Sequence, residues 1–302
     1  MASTQAAEFA DFFADLMRRS SDPTFDLSTV RDVIETMHVA TREPEGVSYA
    51  QVDAGGVEAL WCIPAESDSR KVLLHSHMGG GLLTSMYSER KAAAHIAKAA
   101  GMRSLVLNFR RAPEHKHPAQ IDDVQSAYGW LLEQGYLPSD VAAVGNSIGG
   151  YLAVALAQRL RDRGDALPGA ILTISPWCDP TLSGQSVEDN ADRDKLLSRP
   201  LVELFQSSWL DGTGVAPGDP QVNLLASELS GLPPIAVYYG QYELFASESS
   251  EFARRARAAG NDVTLTQVDA GQHSFIIGAG WVPESDQAIE EMGHWLRATL
   301  GN

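Results

Sequence analysis

The sequence predicts an α/β fold: a mainly parallel sheet of about eight strands, covered by helices on both faces. Three observations carry this. Short, continuous apolar runs alternate along the chain with longer stretches of helical periodicity. Such runs suit strands buried on both sides, with the intervening helices supplying the cover. Glycine follows five of the helical stretches, at Gly101, Gly135, Gly164, Gly260 and Gly301, where a left-handed C-terminal cap is expected. Two segments ahead of this pattern flank Gly55-Gly56, which predicts a hairpin and an antiparallel edge.

In chain order, the first forty residues read as helices. Phe9, Phe12, Phe13, Leu16 and Met17 recur at the spacing of one apolar helix face. A second helix after Ser28 turns Val30, Ile34 and Met37 inward. Core packing is the favoured reading of the Phe-rich face; the alternative is a cap that presents aromatic side chains to a hydrophobic ligand. Strands are expected at residues 47–54 and 57–64, then at 72–75, 104–109, 141–144, 170–175, 235–239 and 263–268. Helices are expected at 88–100, 118–134, 148–163, 249–259 and 284–300. Residues 177–232 break the rhythm, with many Asp, Pro and Gly and one clear helix near 201–209. Compact domains rarely spend such length on a connection without function, so it reads as an insertion over the carboxyl ends of the strands. The expected organisation is N-terminal cap helices at 1–45 and one catalytic domain at 46–302, with a cap insertion at about 178–225.

Composition narrows the partners. The 302 residues hold 23 Lys and Arg against 39 Asp and Glu, a formal charge of −16. Such a chain lacks the basic surface needed to neutralise phosphate or to dock on anionic membrane. Cys62 and Cys178 are the only cysteines, too few for a disulfide framework or a four-cysteine zinc site. In the first twenty residues Glu8, Asp11 and Asp15 precede Arg18 and Arg19, the reverse of an export signal's charge order. No stretch approaches the roughly 18 apolar residues of a membrane span. A cytoplasmic protein is expected.

The chemistry is carried by Gly145-Asn146-Ser147-Ile148-Gly149, a G-x-S-x-G between an apolar run and an amphipathic helix. A serine on a sharp strand-to-helix turn has its hydroxyl exposed as a nucleophile. It needs a base, and the base needs a carboxylate. Six of the eight histidines precede Ser147. Of the two that follow, His294 falls inside the last helix, whereas His273 lies in a loop directly after the last strand. The favoured acid is Glu243, the single carboxylate just past the strand at 235–239; Asp269 and Asp179 are the rivals. Residues 75–81, His-Ser-His-Met-Gly-Gly-Gly, follow the first parallel strand. Consecutive glycines there let backbone N–H groups approach a developing oxyanion.

Three stretches resemble the hormone-sensitive-lipase-like (family IV) carboxylesterases of the α/β-hydrolase fold. They are His77-Met-Gly-Gly-Gly81, the run from Arg110 to Ala119 that matches Y-R-L-A-P-E-H-x-x-P-A, and Gly145-Asn-Ser-Ile-Gly-Gly150. Ser175-Pro-Trp177 and Leu232-Pro-Pro234 also match, and the chain looks most like the ε-lactone hydrolase and short-chain esterase branch. The resemblance implies Ser147, Glu243 and His273 as a catalytic triad. It implies an oxyanion hole from the N–H groups of Gly79, Gly80 and Ile148, with Gly80 and Gly81 as the alternative register. His77, Met78 and Trp177 are expected near the substrate. The family's G-D-S-A-G becomes Gly-Asn146-Ser-Ile148-Gly here; neither change removes a catalytic group.

The expected activity is hydrolysis of small, mostly apolar short-acyl esters through an acyl-serine, without metal or organic cofactor. Lactone hydrolysis on the same triad is the first alternative, followed by acyl transfer and by a non-catalytic small-molecule receptor. The expected partner is a small-molecule ester or lactone, with no nucleic acid and no membrane; a homodimer is compatible with the reading.

Overall fold

Two helices lead the chain, α1 (Thr4–Ser20) and α2 (Leu27–Glu35), in a computed structural model that describes residues 2–301. Each starts on a side-chain cap: Ser3 Oγ accepts from the Ala6 N–H, and Asp26 accepts from the Thr29 N–H. Phe9, Phe13 and Leu16 of α1 are buried, with the Phe9 and Phe13 rings 4.4 Å apart. The aromatic face therefore belongs to the core, the favoured of its two readings.

The hairpin follows as β1 (Val47–Asp53) and β2 (Glu58–Pro64), paired antiparallel from Val47↔Pro64 to Asp53↔Glu58. Gly55 and Gly56 make its turn at φ +71° and +89°, closed by the Ala54 N–H to Val57 carbonyl bond of 2.7 Å. Both positions need left-handed backbone, which glycine adopts without penalty. Then come β3 (Asp68–Ser76), α3 (Met86–Ala100), β4 (Met102–Leu107), α4 (Ala119–Glu133), β5 (Val141–Asn146) and α5 (Ile148–Arg163). The chain continues through β6 (Ala170–Ile174), α6 (Ser186–Asp189), α7 (Arg199–Leu210), β7 (Ile235–Gly240), α8 (Ala246–Ala258), β8 (Val263–Val268) and α9 (Pro283–Leu300).

These strands form one eight-stranded sheet in the order β1-β2-β4-β3-β5-β6-β7-β8. Pairing is antiparallel at β1–β2 and β2–β4 and parallel everywhere else. Strands β5, β6 and β7 are buried along their whole length, as continuous apolar runs between helical layers must be. Helix α3 packs on α9, and α4 on α5. Among the described residues no helix is long and apolar enough to cross a membrane.

Several element boundaries differ from expectation by a few residues, three of them for a visible local reason. Strand β3 begins at Asp68 rather than at 72, because the polar Asp68–Lys71 run resumes pairing with Met102 after an irregularity in register. Strand β4 spans Met102–Leu107 rather than 104–109, and Asn108 turns its amide to the Glu58 carboxylate. Helix α3 starts at Met86 because Ser85 and Ser88 cap one another reciprocally.

The parallel strands all end on one edge of the sheet. The loops after β3, β5, β6, β7 and β8 therefore gather there, and so do the chemistry-bearing motifs. Helices α3 and α9 approach closely at Gly293, where a Cβ would stand 2.5 Å from the Ala99 carbonyl carbon. Gly293→Ala is expected to lower stability by about 1–3 kcal/mol through overpacking. A shift in the urea midpoint at unchanged m-value checks this, and an unchanged midpoint refutes it.

Candidate active site

Ser147 sits at the turn from β5 into α5 with φ +59° and ψ −119°. Backbone in that region costs a non-glycine residue about 1–3 kcal/mol and persists only where the surroundings impose it. Here they do. A Cβ on Gly145 would lie 1.9 Å from the Gly149 carbonyl oxygen, and one on Gly149 would lie 2.0 Å from the Ser76 carbonyl oxygen. The glycines of G-x-S-x-G thus let α5 start directly against the ends of β5 and β3. The Ser147 N–H donates to the Ile174 carbonyl (2.9 Å), and the Ser147 carbonyl accepts from the Trp177 N–H (3.0 Å), which ties the turn to the end of β6.

Glu243 lies just past β7 and His273 just past β8, both buried. Glu243 Oε2 accepts from Ser175 Oγ (2.6 Å) and from the Gly240 N–H (2.9 Å), while Oε1 has no partner. His273 Nδ1 stands 3.9 Å from Glu243 Oε2 and also has no partner. That is about 1 Å longer than a hydrogen bond, a looseness common in unliganded sites. Burial pushes the Glu243 carboxyl well above the ordinary carboxylate range, against the pull of its Ser175 and Gly240 hydrogen bonds. Burial likewise pushes the His273 imidazole down to about 3. Both shifts favour neutral groups, so His273 stands as a free base.

The loops that carry these groups lock onto each other. The Ser274 N–H donates to Ser175 Oγ (3.1 Å), and Ser274 Oγ donates to Asn146 Oδ1 (3.0 Å). The Tyr242 N–H donates to the Gly271 carbonyl (2.9 Å), and the Phe245 ring meets the His273 ring edge-on at 5.1 Å. Of the rival residues, Asp269 is exposed, Asp179 is held by Thr181, Ser183 and Asn223, and His294 is exposed on α9. None of these three stands beside Ser147.

The glycine loop after β3 has Gly79, Gly80 and Gly81 at φ +100°, +63° and +71°. The Met78 N–H is taken by Glu89 Oε2 (2.9 Å), whose other oxygen meets His75 Nε2 at 2.7 Å. Among the described residues the N–H groups of Gly79, Gly80, Gly81 and Ile148 have no acceptor, so both registers of the glycine loop keep free donors. Gly80 is covered by the Phe205 ring, which a Cβ would strike at 2.2 Å. From α2, Arg31 Nε donates to the Leu82 carbonyl (2.9 Å), and its Nη groups grip Glu114 (2.7 and 2.8 Å). The motif from Arg110 to Ala119 braces the same loop, with the Ala112 N–H on the Gly81 carbonyl at 2.7 Å.

A small cavity joins these parts. Ser147, His273, Met78, Gly79, Leu83 and Thr84 line its floor; Met17, Ile34 and Met37 come from the N-terminal helices, and Leu196, Leu197, Leu201 and Phe205 from the insertion. It encloses only about 20 Å³, little more than one water. A wider cleft of about 790 Å³ is lined by Trp61, Trp130 and Tyr136 and by none of Ser147, Glu243 and His273. Of the three residues expected at the substrate, Met78 lines the cavity. His77 and Trp177 do not. His77 donates from Nδ1 to the Met78 carbonyl (2.7 Å) and stacks on Phe109 at 4.1 Å, while Trp177 stacks on Phe245. Cys178 is buried in the core.

Sequence reasoning gave no role to Ser175, Glu89, Arg31 and Gln272, which hold the functional loops in place. Ser175 and Gln272 carried a signal, since Ser175 opens the matching stretch Ser175-Pro-Trp177 and Gln272 precedes His273. Arg31 and Glu89 carried none.

The Arg31 hydrogen bonds hold the Glu114 carboxyl down to about 2, against an ordinary value of 4.5. A depressed carboxyl stabilises the fold above its unfolded value and loses that contribution as pH falls toward its folded one. The stability of wild type over Glu114→Gln is therefore expected to be present at pH 7 and to vanish between about pH 4.5 and 2. Half-exposed pairs contribute under about 1 kcal/mol, so paired urea titrations at both ends of that window are the measurement. A difference that persists unchanged at pH 2 refutes the role of the ion pair.

A family profile of the α/β-hydrolase fold matches residues 73–277. The acetyl-hydrolase of Streptomyces hygroscopicus is 34% identical over 295 residues, spanning 91% of this chain and 97% of that protein. An esterase of Acinetobacter venetianus is 30% identical over 233 residues, 77% of each. The crystal structure of an esterase from the bacterial hormone-sensitive lipase family superposes with a TM-score of 0.93 at 34% identity, covering 100% of both chains. These three are an acetyl-hydrolase and two esterases, so the lactone-hydrolase branch expected from the sequence finds no support in them. An eight-stranded sheet with a serine elbow after β5, together with these likenesses, places the chain in the α/β-hydrolase fold family, among the hormone-sensitive-lipase-like esterases.

Proposed function

We propose that the chain is a serine carboxylic-ester hydrolase for small, mostly apolar short-acyl esters, with Ser147 as nucleophile, His273 as base and Glu243 as the acid that orients it. The observation that carries this is the strained Ser147 turn sharing one apolar cavity with His273, beside backbone N–H groups of the glycine loop and of Ile148 that have no acceptor among the described residues. The acetyl-hydrolase relative supports a short acyl group.

In the reaction His273 takes the proton of Ser147 Oγ as that oxygen attacks the ester carbonyl carbon. The N–H groups of Gly79, Gly80 and Ile148 receive the resulting oxyanion. Each such donor contributes about 3–4 kcal/mol to the transition state. His273 then returns the proton to the departing alcohol as the carbon–oxygen bond breaks, leaving an acyl-serine. Water attacks the acyl carbon as its proton passes to His273, and His273 returns that proton to Ser147 Oγ as the acyl carbon–Oγ bond breaks and the acid leaves. Neutral His273 suits the first step. Once protonated, it gains a partner if Glu243 closes the 3.9 Å gap.

The cap helices and the insertion serve as the lid. With about 20 Å³ free, substrate enters only when they move. The free, buried thiols of Cys62 and Cys178 support a cytoplasmic location.

Hydrolysis of p-nitrophenyl acetate tests the reading. Ser147→Ala is expected to lower kcat by about 10⁴-fold or more, and Glu243→Ala by about 10²- to 10⁴-fold. Asp269→Ala, at an exposed position, should stay within about twofold of wild type. Equal, negligible rates for wild type and Ser147→Ala would sink the esterase reading, and a crippled Asp269→Ala would reassign the acid. A series of acyl lengths and lactones in the same assay then fixes the preferred substrate.

A further inference from the structure

The insertion does more than roof the cavity, because its residues 190–197 are hydrogen-bonded to both loops that carry the proposed acid and base. Asn190 Nδ2 donates to the carbonyl oxygens of Glu243 (2.9 Å) and Gln241 (3.2 Å). The Lys195 N–H donates to Oε1 of Gln272, the neighbour of His273, at 2.7 Å. Between them stands Asp194, 5% exposed. Its Oδ1 accepts from the N–H groups of Leu196 (3.0 Å) and Leu197 (2.8 Å), and its Oδ2 accepts from the N–H of Leu244 (2.9 Å).

We propose that Asp194 is a positioning residue for the ester hydrolysis: it sets the loop that carries Glu243 and ties that loop to the leucines that wall the cavity. The inference rests on the triad reading above. Leu196 and Leu197 line the cavity with Ser147 and His273, and the cavity has no room for an acyl group until its wall shifts. The amides of those two leucines are held by one oxygen of Asp194, and the amide next to Glu243 by the other. Filling the cavity and moving the Glu243 loop toward His273 therefore act on the same carboxylate. A carboxylate accepts on both oxygens, as the three N–H groups here require; an amide would turn its own donors toward one set of them. Asp194→Asn thus breaks the link at nearly constant volume.

The test is a double-mutant cycle of Asp194→Asn with Glu243→Ala on p-nitrophenyl acetate, with sites counted by irreversible labelling of Ser147 with a fluorophosphonate. Asp194→Asn is expected to lower kcat per labelled site about tenfold in wild type, with KM changed less than about threefold. In the Glu243→Ala background the same change should alter kcat by less than about twofold, since the loop no longer carries an acid. Asn190→Ala, which removes the bonds to the Glu243 and Gln241 carbonyls, should show the same non-additivity and carries the cycle if Asp194→Asn fails to fold. Equal factors in both backgrounds, or a kcat for Asp194→Asn equal to wild type, overturn the proposal while leaving the triad intact. A Glu243→Ala rate equal to wild type overturns the acid assignment and this inference with it.

Discussion

The structure depends on a steric constraint at Ser147. A serine at φ +59° is held only because α5 begins in contact with the ends of β3 and β5, and that contact exists only because Gly145 and Gly149 lack Cβ atoms. Close approach at the turn fixes where the helix dipole begins, so the Ile148 N–H at its start faces outward without an acceptor. It also fixes the end of β3, whose next residues are the glycine loop. Two of the three proposed oxyanion donors come from that loop and the third from α5. The close contacts at Gly145 and Gly149 thus set the distance between both sources of N–H groups.

Around this turn the proposed base and acid are both buried, in a largely apolar surrounding. His273 is neutral because burial disfavours imidazolium, and Glu243 is driven toward its neutral form by the same burial. Two other buried acids accept from backbone N–H groups: Asp194 with both oxygens, from Leu196, Leu197 and Leu244, and Glu248 with Oε1, from Cys178 and Asp179. They are anchors for loops. A dry, uncharged pocket strengthens every dipole that faces it, which is how a few N–H groups can stabilise an oxyanion by several kcal/mol. The residues lining the cavity are mostly Met, Leu, Ile and Phe.

How much of this was legible in the sequence follows from the range of each interaction. The strands that are buried on both faces, β5, β6 and β7, write themselves as unbroken apolar runs, and the serine elbow writes itself as glycines at fixed offsets. Both are local patterns. Strand β3 was legible only from Val72, because its first residues are polar and their pairing depends on Met102 across the sheet. Glu243 was legible by position after β7. Asp194 was not, because its partner Leu244 lies fifty residues on and contributes a backbone amide, which leaves no trace in residue identity. His77 and Trp177 were misplaced for a related reason. Proximity in sequence to a catalytic motif says nothing of which way a ring turns, and theirs turn to Phe109 and Phe245.

The two departures from the family's G-D-S-A-G show how a change beside a nucleophile can be absorbed. Ile148 is fully buried in the core and does not line the cavity, so its extra bulk points away from the substrate. Asn146 accepts from Ser274 Oγ at 3.0 Å, which joins the elbow to the His273 loop. A carboxylate could accept the same hydrogen bond, but it would place a negative charge next to Ser147, where an oxyanion must form. In an environment this buried, like charges a few ångströms apart repel by several kcal/mol even at a moderate effective dielectric. Asn146 keeps the strut and omits the charge beside Ser147.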